Sequence, residues 1–180
     1  MMKAIKEIGL SKVVKFTIYS LIQPLFFLAF LPPLRTFLFN LLGAKVEPSS
    51  ILMNVKFFNL HYTGLTGLSI GKECFIGDET LIDLYERVKL EDQVTLAQRV
   101  TVLTHLNVGY GNHPLQSSFP KKSQPVIFKK GSVIAAASVI LPGLTIGENS
   151  FVAAGSVVTK NVAPNTLVAG VPAKFVRKIK

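Results

Sequence analysis

An aliphatic or aromatic residue recurs at every sixth position through most of this chain. The series shows a two-residue offset after its third member and a longer interruption after its sixth, and it comprises Ile70, Ile76, Ile82, Leu90, Leu96, Val102, Phe128, Ile134, Ile140, Ile146, Val152 and Val158. A period of six fits neither an α-helix nor a simple alternating strand. Each hexad therefore predicts one short strand and one turn, and three hexads predict one triangular coil.

The fifth position of a hexad is usually small or β-branched, which suits a second inward-facing place near a corner. These residues are Cys74, Thr80, Val94, Val100, Ser138, Ser150, Ser156 and Val162. Counting the hexads, with a fainter copy at Val46, Leu52 and Phe58, gives about five coils, which cover 46–63, 70–87, 90–105, 128–145 and 146–163. The alternative, a two-sheet sandwich with short strands, does not require a constant period of six residues. We therefore predict an all-β chain whose coils stack by parallel pairing.

The pattern divides the chain into three parts. Residues 1–42 form a predicted N-terminal helical segment, 43–163 the coiled part, and 164–180 a C-terminal capping segment. Residues 106–126 interrupt the repeat and predict an extended loop. Insertions of this length at a corner of a repeat structure commonly carry function.

The N-terminal segment has no charged residue between Phe16 and Leu34. Three readings remain open: a membrane span, a helix in the membrane interface, or a helix packed on protein. Prolines and basic flanks weigh against a span and favour an interfacial helix. In that arrangement the lysines lie at the lipid headgroups, and they are Lys3, Lys6, Lys12 and Lys15. The apolar side chains lie below the headgroups, and they are Phe26, Phe27, Phe30 and Leu31.

The formal net charge of +10 predicts an anionic partner, either a membrane surface or a phosphorylated cofactor. No nucleic-acid-binding motif is present, so nucleic acid is not an expected partner. The single cysteine, Cys74, cannot form an internal disulfide and is expected to be a small buried residue. We expect a cytoplasmic protein that can attach peripherally to the cytoplasmic membrane.

Three stretches near the C-terminus give the sequence a family resemblance. They run Ile140-Leu141-Pro142-Gly143-Leu144-Thr145-Ile146-Gly147, Ala153-Ala154-Gly155-Ser156-Val157-Val158-Thr159-Lys160 and Ala169-Gly170-Val171-Pro172-Ala173-Lys174. Together with Thr104-His105 before the loop, they resemble the hexapeptide-repeat O-acyltransferases, which include galactoside, maltose and exopolysaccharide acetyltransferases. The resemblance covers about residues 40–180. It implies a left-handed parallel β-helix, a homotrimer with active sites between neighbouring prisms, and acyl transfer from acetyl-CoA to a sugar or glycan acceptor.

The catalytic residues follow from chemistry and from this resemblance. A hydroxyl nucleophile needs a general base, and histidine is the usual one. His105 is the predicted base because it lies where the family keeps its histidine. His113, within Asn112-His113-Pro114-Leu115, resembles the His-Pro-Leu of maltose-type relatives and is a second candidate; His61 is expected to be structural. Asp83, one coil below, is the predicted carboxylate partner of the imidazole, and the alternative is a solvated corner aspartate.

For coenzyme A, the resemblance implies contacts from Ala136, Ala154, Thr159, Lys174 and Arg177. Small residues would let the pantetheine arm approach the prism, and the two cations would meet its phosphates. No metal site is expected. Two alternatives stay open: a catalytically inactive, membrane-associated trimeric scaffold, and a β-helix carbonic anhydrase, which needs three histidines on a zinc ion.

Overall fold

The computed structural model describes residues 9–29, 31–109 and 111–180. Three residues singled out from the sequence, Lys3, Lys6 and Phe30, lie outside this part of the chain. The helices are α1 (Leu10–Leu28), α2 (Pro32–Leu41) and α3 (Leu60–Thr63), with a 3-10 turn at Leu65–Gly67. Pro24 lies inside α1, and two prolines open α2, where a missing N–H costs nothing.

The rest of the chain forms short strands. They are β1 (Lys45–Val46), β2 (Ile51–Leu52), β3 (Lys56–Phe58), β4 (Leu68–Ile70), β5 (Phe75–Ile76), β6 (Leu81–Asp83), β7 (Val88–Leu90), β8 (Thr95–Leu96), β9 (Thr101–Val102), β10 (His105–Leu106), β11 (Lys122–Ser123), β12 (Val126–Phe128), β13 (Val133–Ile134), β14 (Val139–Ile140), β15 (Thr145–Ile146), β16 (Phe151–Val152), β17 (Val157–Val158), β18 (Thr166–Ala169) and β19 (Lys174–Lys178).

These strands build a three-sided prism. Sheet A has the order β1-β4-β7-β12-β15, sheet B the order β19-β18-β16-β13-β8-β5-β2, and sheet C the order β17-β14-β9-β6-β3. Neighbouring strands within the prism pair in parallel, and β19 closes the stack by antiparallel pairing with β18. The chain visits A, B and C in turn five times, so the predicted fold, an all-β left-handed parallel β-helix, is confirmed.

The predicted inward positions fill the prism. The twelve residues of the clear series are at most 1% exposed. The small fifth residues are buried as well, and their hydroxyls bond to backbone carbonyls: Thr80 to Ala97 at 3.0 Å and Ser138 to Ala153 at 3.0 Å. These bonds explain why polar atoms are tolerated inside the coil corners.

One predicted inward residue of the first coil is wrong. Phe57, not Phe58, aligns with Ile82 and is 3% exposed. The turn before β3 is one residue shorter than elsewhere, because the Val55 N–H donates to the Met53 carbonyl at 2.8 Å. The register therefore moves by one residue, and Phe58 pairs with Asp83 at the edge of sheet C.

Helices α1 and α2 pack on the first coil with one face only. Phe26 and Phe39 meet Phe57 edge-to-face, and the Arg35 guanidinium donates to the Leu52 carbonyl at 2.9 Å. The opposite faces carry exposed apolar side chains at helical spacing, which are Leu10, Val14, Ile18 and Leu21 in α1 and Leu34, Phe37 and Leu41 in α2. We call these seven residues the outer apolar face. No helix in the described part of the chain is both long and apolar enough to cross a membrane.

Candidate active site

The site lies at the corner where the chain passes from sheet C to sheet A. Asp83 ends β6 at this corner and is 0% exposed. Its Oδ1 accepts hydrogen bonds from Asn59 Nδ2 at 2.8 Å and the Tyr85 N–H at 3.0 Å. Its Oδ2 accepts from the Thr104 N–H at 3.0 Å and meets His105 Nδ1 at 2.5 Å. The alternative of a solvated corner aspartate is therefore wrong.

The four donors decide the charge of this carboxyl group. Burial alone raises the pKa of Asp83, but the hydrogen bonds from His105, Asn59 and Thr104 outweigh burial and hold the pKa below its ordinary value. Asp83 is thus a carboxylate at neutral pH and has no proton to donate. The proton in the Asp83–His105 hydrogen bond then resides on Nδ1, so that the neutral form of the imidazole has its lone pair on Nε2.

His105 opens β10 on the coil above Asp83, directly after the corner. Its side chain is 22% exposed, so the imidazole is held by protein and still reaches solvent. The Thr104 hydroxyl stabilises the corner one coil below His105. It donates to the Asp83 carbonyl at 3.2 Å and accepts from the Glu86 N–H at 3.0 Å. An imidazole with a fixed orientation and a free Nε2 can act as a general base.

Two tyrosines stack behind this imidazole. The Tyr85 ring lies on the His105 ring with a centroid separation of 4.6 Å and an interplanar angle of 13°. Tyr62, from α3, stacks on the other face of Tyr85 at 3.7 Å. The stack covers one face of the imidazole, and together with the Asp83 contact it favours a single orientation of the ring.

Asn59, Tyr62 and Tyr85 were missed in the sequence analysis. Tyr85 stands in the two-residue offset after Ile82, and that break in phase is the signal that could have identified it. Asn59 adopts a left-handed backbone conformation, with φ of 59° and ψ of 23°, and caps α3. Asparagine tolerates this backbone conformation better than most residues do, and the conformation directs the Asn59 amide toward Asp83. The hexad pattern of the sequence does not indicate this role of Asn59.

The other two histidines are placed elsewhere. His61, in α3, contacts Phe16 edge-to-face at 5.6 Å, which agrees with a structural role. His113 is exposed in the loop, where its Nδ1 accepts from the Leu115 N–H at 3.1 Å. Within the described residues no hydrogen bond joins His113 to Asp83 or His105. Its catalytic role stays a prediction.

The predicted coenzyme A residues lie toward the C-terminal end of the prism. Ala136 and Ala154 stack at the corner between sheets B and C, where the Gly155 N–H donates to the Ala136 carbonyl at 2.9 Å. Thr159 follows β17 at the corner between sheets C and A, the same edge as His105. Lys174 and Arg177 are exposed on β19 at the end of sheet B. The fold thus places these residues on more than one edge of the prism.

A cavity of about 250 Å³ adjoins the site beneath α1. It is lined by Phe16, Tyr19, Ser20, Gln23, Phe57, Phe58, Asn59, Leu60 and His61. A larger cavity of about 680 Å³ lies against sheet A and shares no residue with the Asp83–His105 pair. Among residues 9–29, 31–109 and 111–180, no three His, Cys, Asp or Glu side chains are grouped so that they could hold a metal ion.

Comparison with known proteins agrees with this architecture. The family model for the hexapeptide repeat of succinyl-transferase matches residues 130–160. The galactoside O-acetyltransferase of Escherichia coli K12 is 30% identical over 115 residues, which are 62% of this chain and 57% of that protein. The chain spans about half the length of the curated relatives that it matches.

Solved structures agree as well. A maltose O-acetyltransferase from Clostridium difficile 630 superposes with a TM-score of 0.78 and 24% identity over 96% of this chain and 90% of that one. A hexapeptide-repeat acetyltransferase from Vibrio cholerae O1 biovar eltor, complexed with acetyl coenzyme A, superposes with a TM-score of 0.69 and 25% identity over 81% of this chain and 76% of that one. The repeat, the prism and these likenesses make the chain similar to the hexapeptide-repeat acetyltransferases.

Proposed function

We propose that this protein is an acetyl-CoA-dependent O-acetyltransferase that acts on a hydroxyl of a sugar or glycan precursor, with His105 as general base. The observation that carries the proposal is the contact of the buried Asp83 carboxylate with His105 Nδ1, which turns Nε2 of this partly exposed ring away from Asp83 and makes it the atom that can take a proton. The galactoside and maltose acetyltransferase likenesses support the choice of a sugar acceptor.

The reaction follows from this geometry. Nε2 of His105 takes the proton of the acceptor hydroxyl as its oxygen attacks the thioester carbonyl carbon. The new C–O bond forms, the C–S bond breaks, and the proton passes from Nε2 to the departing sulfur. The products are the acetyl ester and coenzyme A thiol. Asp83 stabilises the imidazolium while it holds the proton, and Tyr85 keeps the ring in place.

We also propose a homotrimer, and the corner positions support it. Ala136 and Ala154 lie at the corner between sheets B and C, whereas His105 lies at the corner between sheets C and A. Within one chain the width of sheet C separates these edges. One site that uses both edges therefore needs two neighbouring prisms, each contributing a different corner.

The direct test of this function is a thiol-release assay. Purified protein is mixed with acetyl-CoA and a panel of monosaccharides, nucleotide sugars and lipid-linked glycans, and free coenzyme A thiol is measured. At least one acceptor should raise thiol release well above the acceptor-free rate and appear as an O-acetyl ester by mass spectrometry. Acetyl-CoA that fails to bind in a calorimetric titration would exclude the function and favour the inactive scaffold.

The cofactor proposal predicts a loss of affinity in β19 variants. Lys174→Ala and Arg177→Ala should each weaken acetyl-CoA binding about 3- to 10-fold, a modest change because both side chains are exposed and solvent screens them. Calorimetric titration measures it, with the exposed Lys72→Ala as matched control. If one of these side chains contacts the 3′-phosphate of the coenzyme, its replacement should reduce the affinity for acetyl-dephospho-CoA less than the affinity for acetyl-CoA. Affinities equal to the wild type for both variants would contradict the assignment.

We further propose that the outer apolar face attaches the protein to an anionic lipid surface. Between Ile8 and Val46 the sequence has no acidic residue, and two of its cations, Lys15 and Lys45, are exposed. A second copy of the chain would bring the same positive charge to such a contact, whereas anionic lipid would complement it.

Vesicle co-sedimentation tests the attachment. Wild-type protein should pellet with phosphatidylglycerol vesicles more than with phosphatidylcholine vesicles, and a Leu21→Gln/Phe37→Gln variant should lose at least about 10-fold in partitioning. Ile51→Gln, which removes an apolar side chain of similar exposure from the prism, should leave partitioning unchanged. Equal losses in both variants, or binding indifferent to lipid charge, would contradict the proposal.

A further inference from the structure

Two lysines from distant parts of the chain converge on the aromatic stack behind His105. Lys12, from the first turns of α1, places Nζ 4.6 Å from the Tyr62 ring centroid. Lys121, from the extended loop, places Nζ 4.9 Å from the Tyr85 centroid and 5.8 Å from that of Tyr62. One helix and one loop thus bring two ammonium groups to the same end of the active site.

No carboxylate in the described part of the chain forms an ion pair with either lysine. The ion pairs there involve the cations Lys56, Lys89, Arg99, Lys129 and His105. The one carboxylate within the stack, Asp83, already accepts four hydrogen bonds from other groups. Burial, and then the charge of Lys12, lower the pKa of the neighbouring His61.

Cation–π contacts with Tyr62 and Tyr85 alone do not explain why both Lys12 and Lys121 lie beside these rings. A cation–π contact with a tyrosine at an exposed site attracts an ammonium group only weakly. Tyr62 here receives two ammonium groups, which repel each other, and both faces of Tyr85 are covered by His105 and Tyr62. Lys121 therefore lies at the rim of the stack. An anion bound between the two lysines would turn this repulsion into two attractions.

We propose that the acceptor is anionic, and that Lys12 and Lys121 bind its phosphate or carboxylate while a neighbouring hydroxyl meets His105 Nε2. This inference rests on the proposed function and names its substrate class. Both lysines contact the two rings that continue the stack from His105, so an acceptor that reaches the imidazole has positive charge close by. Because α1 supplies both Lys12 and part of the outer apolar face, the same helix would hold the site beside the lipid surface.

Matched acceptors test the inference. Each of two hexoses, glucose and galactose, is compared with its 1-phosphate and its uronic acid in the thiol-release assay. For at least one configuration, a charged acceptor should exceed the neutral hexose in kcat/KM at least about 10-fold. Preference for the 1-phosphate or for the uronic acid then identifies the anion. Equal or higher kcat/KM for the neutral hexoses would overturn the proposal.

Variants separate recognition from support of the fold. Lys12→Gln and Lys121→Gln should each reduce kcat/KM for the charged acceptor about 10-fold and leave that for the neutral hexose within about 2-fold. Lys12→Arg and Lys121→Arg should restore most of the preference. Lys15→Gln and Lys122→Gln, which remove neighbouring exposed lysines, serve as controls. If kcat/KM falls equally for charged and neutral acceptors and the melting temperature also falls, the two lysines only stabilise the packing of α1 and of the extended loop, which would contradict the inference.

A binding measurement keeps this test independent of turnover. Hexose 1-phosphate is titrated calorimetrically into the wild type and the Lys12→Gln variant, with free hexose and inorganic phosphate as comparison ligands. Tight binding that depends on Lys12 supports the inference even if no acetyl transfer is detected, which would count against the proposed function alone. Inorganic phosphate that binds as tightly as hexose 1-phosphate would indicate a free-anion site and contradict the inference.

Discussion

Replacing His105 by asparagine should lower kcat for acetyl transfer about 10²- to 10⁴-fold, the usual worth of a general base. Asparagine can still donate a hydrogen bond to Asp83, as Nδ1 does now, so the buried carboxylate keeps a partner there. What the variant lacks is the free Nε2 that takes the hydroxyl proton. Thiol release under saturating acceptor measures the change.

The interpretation of this variant depends on two comparisons. Its affinity for acetyl-CoA and its melting temperature should stay close to those of the wild type, since the residues proposed to contact the coenzyme do not include His105. His113→Ala is the competing variant, because His113 is the second predicted base. A larger loss of kcat in His113→Ala than in His105→Asn would move the base into the extended loop and contradict the account.

Replacing Asp83 by asparagine should damage both activity and stability. The four groups that face Asp83 are all donors, and an asparagine amide would turn two N–H groups toward them. We expect the free energy of unfolding to fall by about 2–4 kcal/mol, because buried hydrogen bonds to a charged acceptor are lost and donors are left unsatisfied. The imidazole should also lose its Nδ1–H tautomer, which lowers kcat by about 10²-fold or more.

The stability effect of Asp83 has a defined pH dependence. The pKa of Asp83 in the folded protein lies below its unfolded value, which is about 3.9. Its contribution to stability is therefore present in full above about pH 4 and is lost as the pH falls through the folded pKa. Urea unfolding at a series of pH values should show the gap between wild type and Asp83→Asn narrowing on acidification below about pH 4. A gap of constant size down to pH 2 would contradict the assignment of a buried carboxylate.

The prism was predictable from the sequence because its interior imposes a strict rule. Inward places need an apolar side chain, and the corner places are usually small or β-branched, so the hexad phase is visible without coordinates. The error at Phe58 shows where that rule stops. A turn that is shortened by a single backbone hydrogen bond shifted the phase by one residue, and the amino-acid sequence alone does not show that this turn is shorter.

The site was predictable only in part. Asp83 and His105 could be paired because the coil count placed one below the other. The two-residue break in phase marks the position of Tyr85 but not the direction of its ring, and the role of Asn59 depends on a left-handed backbone conformation that the sequence does not indicate. The contact of Lys12 with Tyr62 joins residues 50 positions apart through helix packing, which no periodic pattern contains.

The most direct test of the account is a nitrogen NMR measurement of the His105 imidazole in uniformly ¹⁵N-labelled protein. At neutral pH the account predicts a proton on Nδ1, shared with Asp83, and an Nε2 resonance with the shift of an unprotonated nitrogen. The Asp83→Asn variant should lose this preference. A proton found on Nε2 in the wild type, with Nδ1 bare, would contradict the central claim that His105 presents a free base to the acceptor.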